Sequence, residues 1–307
     1  MQEMPEGGHG YHVTVLLNEA VDALNIDPGG VYVDCTFGGG GHSRKILEKL
    51  KNGKLYVFDQ DEEAKQNLPD DERVHFIQQN FRHVQRFLRL EKLVKVDGIL
   101  ADLGVSSHQF DEAERGFSTR FEAELDMRMD RRSAFDAAEL IQTYSVKRLQ
   151  EIFEKFGEVT NAKTLAQTIA TQREISPIRT VTQFRSAVQE IVKGNPNKYF
   201  AQVFQALRME VNDETGALKD LLEQAEVLLK PGGRIAVISF HSIEDRIVKQ
   251  YFKYGSKGFS EDHTDLFGNK KESPWELWNK KPILPGEEEM RMNPRSRSAK
   301  LRVAIKK

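Results

Sequence analysis

The chain has 307 residues, of which 39% are hydrophobic, so it can bury a substantial core as one large domain or two smaller ones. Its net charge of -2 does not by itself indicate a nucleic-acid partner. The single cysteine, Cys35, excludes an internal disulfide and a cysteine-cluster metal site. Because no apolar run is long enough to span a membrane and no secretory signal precedes Tyr11, we expect a cytoplasmic protein.

The stretch VYVDCTFGGGGHSRKIL at 31–47 predicts a buried strand, a run of four glycines from Gly38 to Gly41, and a helix that opens at Ser43. Glycine can adopt positive φ and lets a ligand approach its N–H group, and a helix N-terminus adds a partial positive charge. The pattern therefore favours a ligand-binding loop at the carboxyl end of a strand. The alternative is a flexible turn.

Three further apolar runs follow the glycine loop at intervals that leave room for helices. They are LYVF at 55–58, VHFI at 74–77 and VDGILADLG at 96–104. Strands separated by helix-length segments predict right-handed crossovers and a parallel sheet that binds ligands at the carboxyl ends of its strands. Gly39, Asp59, Phe81 and Asp102 then share one edge of the sheet.

Residues 108–212 carry helical patterns that no strand signal interrupts. In the segment LQEIFEKFG, for example, apolar side chains recur at helical spacing between a candidate N-cap, Ser145, and a stop at Gly157. We therefore predict an α/β domain that is discontinuous, at 1–107 and 213–307, with a helical insertion domain at 108–212 for substrate recognition.

The strand pattern returns after the insertion. A capping box of Ser242 with Asp245 is predicted to open the helix that follows the fifth strand. The other predicted elements are a turn at 231–233, a strand at 234–240, a loop of uncertain order at 255–292 and a last strand at 299–305.

The tail from Arg291 to Lys307 contains seven basic residues and no acidic one. A charge run of this kind is more often a solvated face, but arginines interleaved with serines also suit phosphate contacts. Arg295, Arg297 and Lys300 are therefore candidate RNA-binding residues.

Spacing separates three kinds of nucleotide loop that could use the glycine run. The Walker pattern G-x-x-x-x-G-K-[ST] does not occur in the sequence. The dinucleotide fingerprint G-x-G-x-x-G/A meets Ser43 or Arg44 where a small residue belongs, which disfavours a nicotinamide enzyme. The third kind is the S-adenosylmethionine loop, in which an acidic residue ends the second strand. Asp59, 18 residues after Gly41, meets that requirement.

On this interpretation Asp59 accepts hydrogen bonds from both ribose hydroxyls of the cofactor. Phe81, beyond the third strand, then lies against the adenine, and Asp102 faces the methyl group. Two alternatives stay open, because Phe81 can equally belong to the core and Asp59 can equally cap a helix.

Seven blocks in order make the chain similar to the bacterial small-subunit ribosomal RNA methyltransferase H family, formerly MraW. They are HVTVLLNEAVDAL, DCTFGGGGHS, DGILADLGVSS, RGFSTRFEAELDMRMD, FQALRMEVNDE, ISFHSIEDRIVK and NPRSRSAKLRV. The resemblance implies a Rossmann-like class I methyltransferase, mostly parallel, that uses S-adenosyl-L-methionine to methylate cytosine N4 in the decoding region of 16S rRNA. The cofactor positions that it implies are Gly40, Gly41, His42, Asp59, Phe81, Asp102 and Gln109.

The chain departs from the family pattern at Thr14 and His108, where the family often has proline, and in the insertion string FGEVTNAKTLAQTI. The expected partner is 16S rRNA in the small subunit, with no membrane and with the protein as a monomer or homodimer. A non-catalytic RNA-binding assembly factor on the same fold is the alternative function.

The catalytic residue that we expect is Asp102, as the acceptor that orients the target amine; His42 is expected to be a positioning residue. Amino-methylating enzymes commonly carry Asp/Asn-Pro-Pro-aromatic at this position, whereas this chain has Asp-Leu-Gly-Val. That difference disfavours a DNA methyltransferase and removes the usual aromatic platform for the base. Phe110, Phe240 and His241 are the candidates to replace it.

Overall fold

The computed structural model of the chain describes residues 14–259 and 273–307. The N-terminal residues that argue against a secretory signal, and the centre of the predicted 255–292 loop, lie outside these ranges. Within them, no helix is both long enough and apolar enough to cross a membrane.

The described strands form one mixed sheet in the order β3-β2-β1-β4-β5-β7-β6. The strands are β1 Val31–Asp34, β2 Lys54–Phe58, β3 Val74–Ile77, β4 Val96–Asp102, β5 Leu229–Ser239, β6 Trp275–Leu277 and β7 Lys300–Lys306. Pairs among β1 to β5 are parallel, and β7 runs antiparallel to both β5 and β6. The predicted, mostly parallel α/β sheet is confirmed, and β1, which leads into the glycine loop, lies in its interior between β2 and β4.

Twelve α-helices connect and cover these strands in the described ranges. They are α1 Leu17–Ala23, α2 Gly41–Lys49, α3 Val84–Leu90, α4 Ser107–Asp111, α5 Ala137–Thr143, α6 Val146–Gly157, α7 Ala162–Ile175, α8 Val181–Val188, α9 Pro196–Val211, α10 Glu214–Leu228, α11 Ser242–Tyr254 and α12 Glu287–Met292. The predicted cap of α6 is confirmed, since Ser145 Oγ accepts the N–H of Arg148 at 3.2 Å.

Two predictions about the second half of the sheet were wrong. The turn predicted at 231–233 lies inside β5, where four residues bulge opposite Asp97 and Gly232 takes a φ of 82°. A bulge of this kind lets the backbone bend without ending the strand. The predicted 255–292 loop contains β6 and α12. Strand β6 has three residues, and among the described strands it pairs with β7 alone.

Alternate residues of each strand face opposite sides of the sheet, and each side has its own hydrophobic cluster. One cluster includes Val33 and Ile99 with residues of α3, α10 and α11, and the other includes Tyr32 and Leu100 with residues of α1 and α2. A third cluster is built almost entirely from residues 117–209, with Ile243 of α11 added. The helices between β4 and β5 therefore have a core of their own.

Candidate active site

The glycine loop joins β1 to α2 and is held by the loop that follows β2. Gly38 and Gly40 have φ values of 48° and 73°, in the region that favours glycine. The N–H of Gly38 donates to Asp59 Oδ2 at 2.8 Å. A Cβ placed on Gly39 would meet nothing within 4 Å, so this backbone faces open space that a ligand can enter.

Close packing against Thr14 requires a glycine at position 41. A Cβ on Gly41 would lie 1.8 Å from Thr14 Oγ1, so the threonine at the family-variant position sits directly against the first residue of α2. Helix α2 begins at Gly41, two residues before the predicted opening at Ser43. The hydroxyl of Ser43 instead donates to Asp34 Oδ2 at 2.6 Å.

Asp59 follows β2 and is partly buried at the predicted edge. Its two carboxylate oxygens accept N–H groups from Gly38 at 2.8 Å and Asp61 at 2.9 Å. Each oxygen keeps acceptor capacity for a further donor, as two ribose hydroxyls would require. The N-cap of the short helical turn at 62–67 is Asp61, so the cap alternative for Asp59 does not hold. Burial raises the pKa of Asp59 to about 6.

Asp34 at the end of β1 is a site residue that the sequence analysis missed. It is 1% exposed, and Oδ1 accepts the N–H of Thr36 at 3.0 Å while Oδ2 accepts the hydroxyl of Ser43. Thr36 Oγ1 in turn accepts the N–H of Asp102 at 2.7 Å. Asp34 thus links the glycine loop to the end of β4. An acidic residue at a strand's carboxyl end was the signal that could have found it.

Asp102 ends β4, where it lies beside the first turn of α2. Its Oδ2 is 3.8 Å from His42 Nδ1, and His42 Nε2 is 3.1 Å from the carbonyl oxygen of Val15. Asp102 Oδ1 is buried without a hydrogen-bond partner among the described residues. Burial raises the pKa of Asp102 well above its usual range, and the charges of Asp34 and Glu244 add to that rise.

Gln109 is buried on α4 and contacts the loop that follows β2. It forms a capping box with Ser106, and its Nε2 donates to Asp61 Oδ2 at 2.7 Å. Arg115 Nη1 donates to the same oxygen at 2.7 Å, and Arg115 is 2% exposed. The structure thus brings Gln109 to the site through Asp61. His108, at the other family-variant position, is 2.8 Å from Glu63 Oε2.

Phe81 lies just beyond β3, as predicted, and its side chain is partly buried against the core on one side of the sheet. Asn80 Nδ2 donates to Gln60 Oε1 at 2.9 Å, which ties the loop of Phe81 to the loop of Asp59. This position is compatible with both the adenine role and the core role that the sequence left open.

The carboxyl end of β5 carries an ion-pair network that corrects the predicted capping box. The N-cap of α11 is His241, and Glu244 Oε2 accepts the N–H of Phe240 at 3.1 Å. Asp245, predicted to close the box with Ser242, instead accepts the Nε–H of Arg302 at 2.6 Å. The prediction was wrong because the cap residue is one position earlier in the chain.

Glu244 is 3% exposed, and its Oε1 is 3.2 Å from His241 Nε2. Burial alone would raise the pKa of Glu244, but His241 and Arg208 outweigh it and lower that pKa. Glu214, His241 and Glu244 have ligand atoms within 4.8 Å of one another, a spacing at which a metal ion could be held. Arg208 Nε already pairs with Glu214 at 2.7 Å, so we interpret the group as an ion-pair network.

The three basic residues predicted to bind RNA lie in different surroundings. Arg295 pairs with Asp111, and its guanidinium carbon is 4.9 Å from the centre of the Phe110 ring. Lys300 Nζ is 3.4 Å from Asp245 Oδ2. The side chain of Arg297 has neither an ion pair nor a hydrogen bond with another described residue. The structure therefore brings Arg295, and not the other two, against α4.

The electrostatics of this edge favour a ligand that carries positive charge. Asp34, Asp59 and Asp102 meet there, and burial raises the pKa of each. S-adenosyl-L-methionine carries a sulfonium and an ammonium group, which would relieve the repulsion among these carboxyls. A dinucleotide would bring two phosphates to the same place and increase that repulsion. The residues present therefore fit the sulfonium cofactor.

The sheet order with antiparallel β7 between β5 and β6, the glycine loop and the acidic edge define a Rossmann-like class I methyltransferase. The chain belongs to the MraW methylase family, whose model matches residues 9–307. The predicted family is thus confirmed, and S-adenosyl-L-methionine is the cofactor, as predicted.

Similar proteins include "Ribosomal RNA small subunit methyltransferase H" of Phocaeicola vulgatus, which is 50% identical over 307 residues and covers 99% of this chain and 100% of its own. The protein of the same name from Bacteroides thetaiotaomicron is 51% identical over 97% of this chain and 98% of its own. Among solved structures, an rRNA methylase from Streptococcus thermophilus has a TM-score of 0.41 at 12% identity, with 96% of this chain and 98% of its own covered.

Proposed function

We propose that the protein transfers a methyl group from S-adenosyl-L-methionine to N4 of a cytidine in the decoding region of 16S rRNA, within the small ribosomal subunit. Relatives about 50% identical over nearly the whole chain are named as small-subunit ribosomal RNA methyltransferases, which supports the RNA substrate. The observation that carries the amine target is Asp102 Oδ1, a buried acceptor without a partner among the described residues.

Asp102 meets the chemical requirement of an exocyclic amine. The N4 lone pair of cytosine is delocalised into the ring, and its two hydrogens are donors. Asp102 would accept one N–H and so orient the amine toward the methyl carbon. As the C–N bond forms, the bond between that carbon and the sulfonium sulfur would break and leave a neutral thioether, and Asp102 would take the proton that the nitrogen loses. Burial raises the pKa of Asp102, and a raised pKa makes the ionised carboxylate a better proton acceptor.

The cofactor supplies an electrophilic methyl group, and the loops at the carboxyl edge would hold it. Gly40 and Gly41 present backbone beside the open space at Gly39, and Asp59 accepts the ribose hydroxyls. Phe81 covers the adenine, and Gln109 closes the site through Asp61. His42 positions Asp102, because its ring is anchored on Val15 and lies beside the carboxylate.

We further propose that residues 108–212 form the domain that recognises the RNA, with the α/β domain at 1–107 and 213–307. The separate core of the helical block supports this division. The target base has to leave its stack to reach Asp102, at a cost of a few kcal/mol that is smallest in irregular RNA. Arg295, Arg297 and Lys300 would contact phosphates on the side of α4 and α11.

The test uses small subunits that lack the modification, incubated with protein and labelled S-adenosyl-L-methionine. We expect label on one cytidine, at N4 when the nucleosides are separated and identified by mass spectrometry. Asp102→Asn is the matched control, since it keeps shape and removes the proton acceptor. Wild-type protein that binds subunits and supports their maturation without any transfer would instead favour the assembly-factor function.

A further inference from the structure

A groove of about 310 Å³ lies between α11 and the strands β6 and β7, outside the cofactor site. The basic groove, as we call it, is lined by Lys249, Lys253, Leu277, Lys280 and Arg302, among others. Helix α11 supplies the first two lysines, the last residue of β6 is Leu277, and the segment that follows β6 supplies Lys280. None of these residues was assigned a role above except Arg302, which pairs with Asp245.

Within residues 14–259 and 273–307, the lysines of the groove have no ionic partner. Lys249, Lys253 and Lys280 are exposed, and none of them forms an ion pair with another described residue. The described residues that line the groove include no carboxylate. The nearest acid on β6, Glu276, alternates with its neighbours and so faces the other side of the sheet from Leu277. Such a surface fits a polyanion.

The contact that the groove offers is electrostatic. Trp278 is 45% exposed, but it alternates with Leu277 as Glu276 does, so its ring lies toward the other side of the sheet from the groove. The lysines of the groove therefore suit the backbone phosphates of a nucleic acid.

Measured along the strands, the groove lies close to the position of Asp102. Through the strand pairings Ala101 is level with Val237, and Val237 with Arg302, so the groove opens beside the edge where Asp102 lies. Three strand spacings separate β4 from β6, which is about 14 Å. A stacked strand of about four nucleotides spans that distance.

We propose that the basic groove binds a single-stranded segment of the substrate RNA that flanks the target nucleotide, with its phosphates on the three lysines. This inference rests on the proposed RNA substrate and adds a second contact surface to it. The groove would hold the strand while Asp102 and the glycine loop act on the nucleotide that reaches the carboxyl edge.

The test measures the salt dependence of RNA binding with two single-stranded probes, one of about 12 nucleotides around the target cytidine and one of three nucleotides. The variant Lys249→Gln, Lys253→Gln, Lys280→Gln should lower the salt slope for the long probe by about two, at roughly 0.7 per phosphate. The short probe should bind wild type and variant alike.

The matched control replaces three exposed lysines at the opposite edge of the sheet, Lys51, Lys54 and Lys92, by glutamine. It should keep the wild-type slope, and all variants should keep the wild-type affinity for S-adenosyl-L-methionine. A wild-type slope in the groove variant, with RNA binding and methylation intact, would overturn this inference alone. Absence of RNA binding by the wild type would overturn the proposed function as well. Weakened binding to assembled subunits but not to RNA would assign the groove to a ribosomal protein and refute the RNA contact.

Discussion

Replacing Asp59 by asparagine is expected to change fold stability and cofactor affinity in opposite directions. The substitution keeps the size of the side chain and one acceptor oxygen but removes the charge. In the native protein the carboxylate accepts N–H groups from Gly38 and Asp61, and yet burial raises its pKa from 3.8 to about 6. The two hydrogen bonds therefore compensate only part of the cost of burying this charge.

The sign of the stability effect follows from proton binding. Between pH 3.8 and about 6 the folded protein binds the Asp59 proton more tightly than the unfolded chain does, so stability falls as pH rises through that window. A shift of about two pKa units corresponds to about 3 kcal/mol, present in full above pH 6 and absent below pH 3.8. Because asparagine resembles the protonated acid, Asp59→Asn should be more stable than wild type by up to that amount at pH 7.5 without cofactor.

The affinity of the Asp59→Asn variant for the cofactor should fall. Hydrogen bonds from ribose hydroxyls to a charged acceptor contribute about 1.5 to 3 kcal/mol, so the dissociation constant should rise by roughly 10- to 150-fold. Urea denaturation between pH 4 and 8 measures the first effect, and calorimetry at pH 7.5 measures the second. Asp71→Asn, before the amino end of β3, is the control that should leave cofactor affinity unchanged. If Asp59→Asn binds the cofactor as tightly as wild type does, Asp59 does not hold the ribose. If the two proteins have the same free energy of unfolding at pH 7.5, the buried charge of Asp59 does not destabilise the fold.

Three more substitutions test other parts of the site. Asp102→Asn should lower kcat by about 10²- to 10⁴-fold while calorimetric cofactor affinity stays within a few-fold; a variant with wild-type kcat would remove Asp102 from the reaction. Gly41→Ala places a methyl group 1.8 Å from Thr14 Oγ1 and should destabilise the fold by about 1 to 3 kcal/mol in urea denaturation, with recovery on adding Thr14→Gly. Arg115→Met leaves Asp61 buried without its cation and should cost about 3 to 5 kcal/mol, a loss that Asp61→Asn in the same chain should reduce; an additive double variant would contradict the pairing.

The parts of the fold that the sequence predicted are those with a strong local pattern. The first four strands are short apolar runs that end at polar residues, and the structure has all four. Helix α6 was predicted with its cap because Ser145 and the apolar spacing lie within one segment. Strand β6 could not be predicted in the same way, since three residues carry no period and its pairing partner Lys306 is 31 residues away.

In the candidate site, too, the sequence predicted some contacts and not others. The topology rule that parallel strands end at one edge predicts that Asp59 and the glycine loop meet, and the hydrogen bond from Gly38 confirms it. The link between Gln109 and Asp61 spans 48 residues, and that between Arg115 and Asp61 spans 54. These contacts depend on how the helical block docks on the sheet, which no local pattern encodes.

The position of the helical block between β4 and β5 has a consequence for how the chain folds as it is made. A ribosome that has just released β4 must add the 126 residues that lie between Asp102 and Leu229 before the neighbouring strand β5 begins. At ordinary rates of synthesis this takes on the order of ten seconds. During that interval β4, which becomes a central strand, is an open apolar edge with unpaired backbone groups. The helices, with a core of their own, can fold within the same interval and shield that edge until β5 arrives.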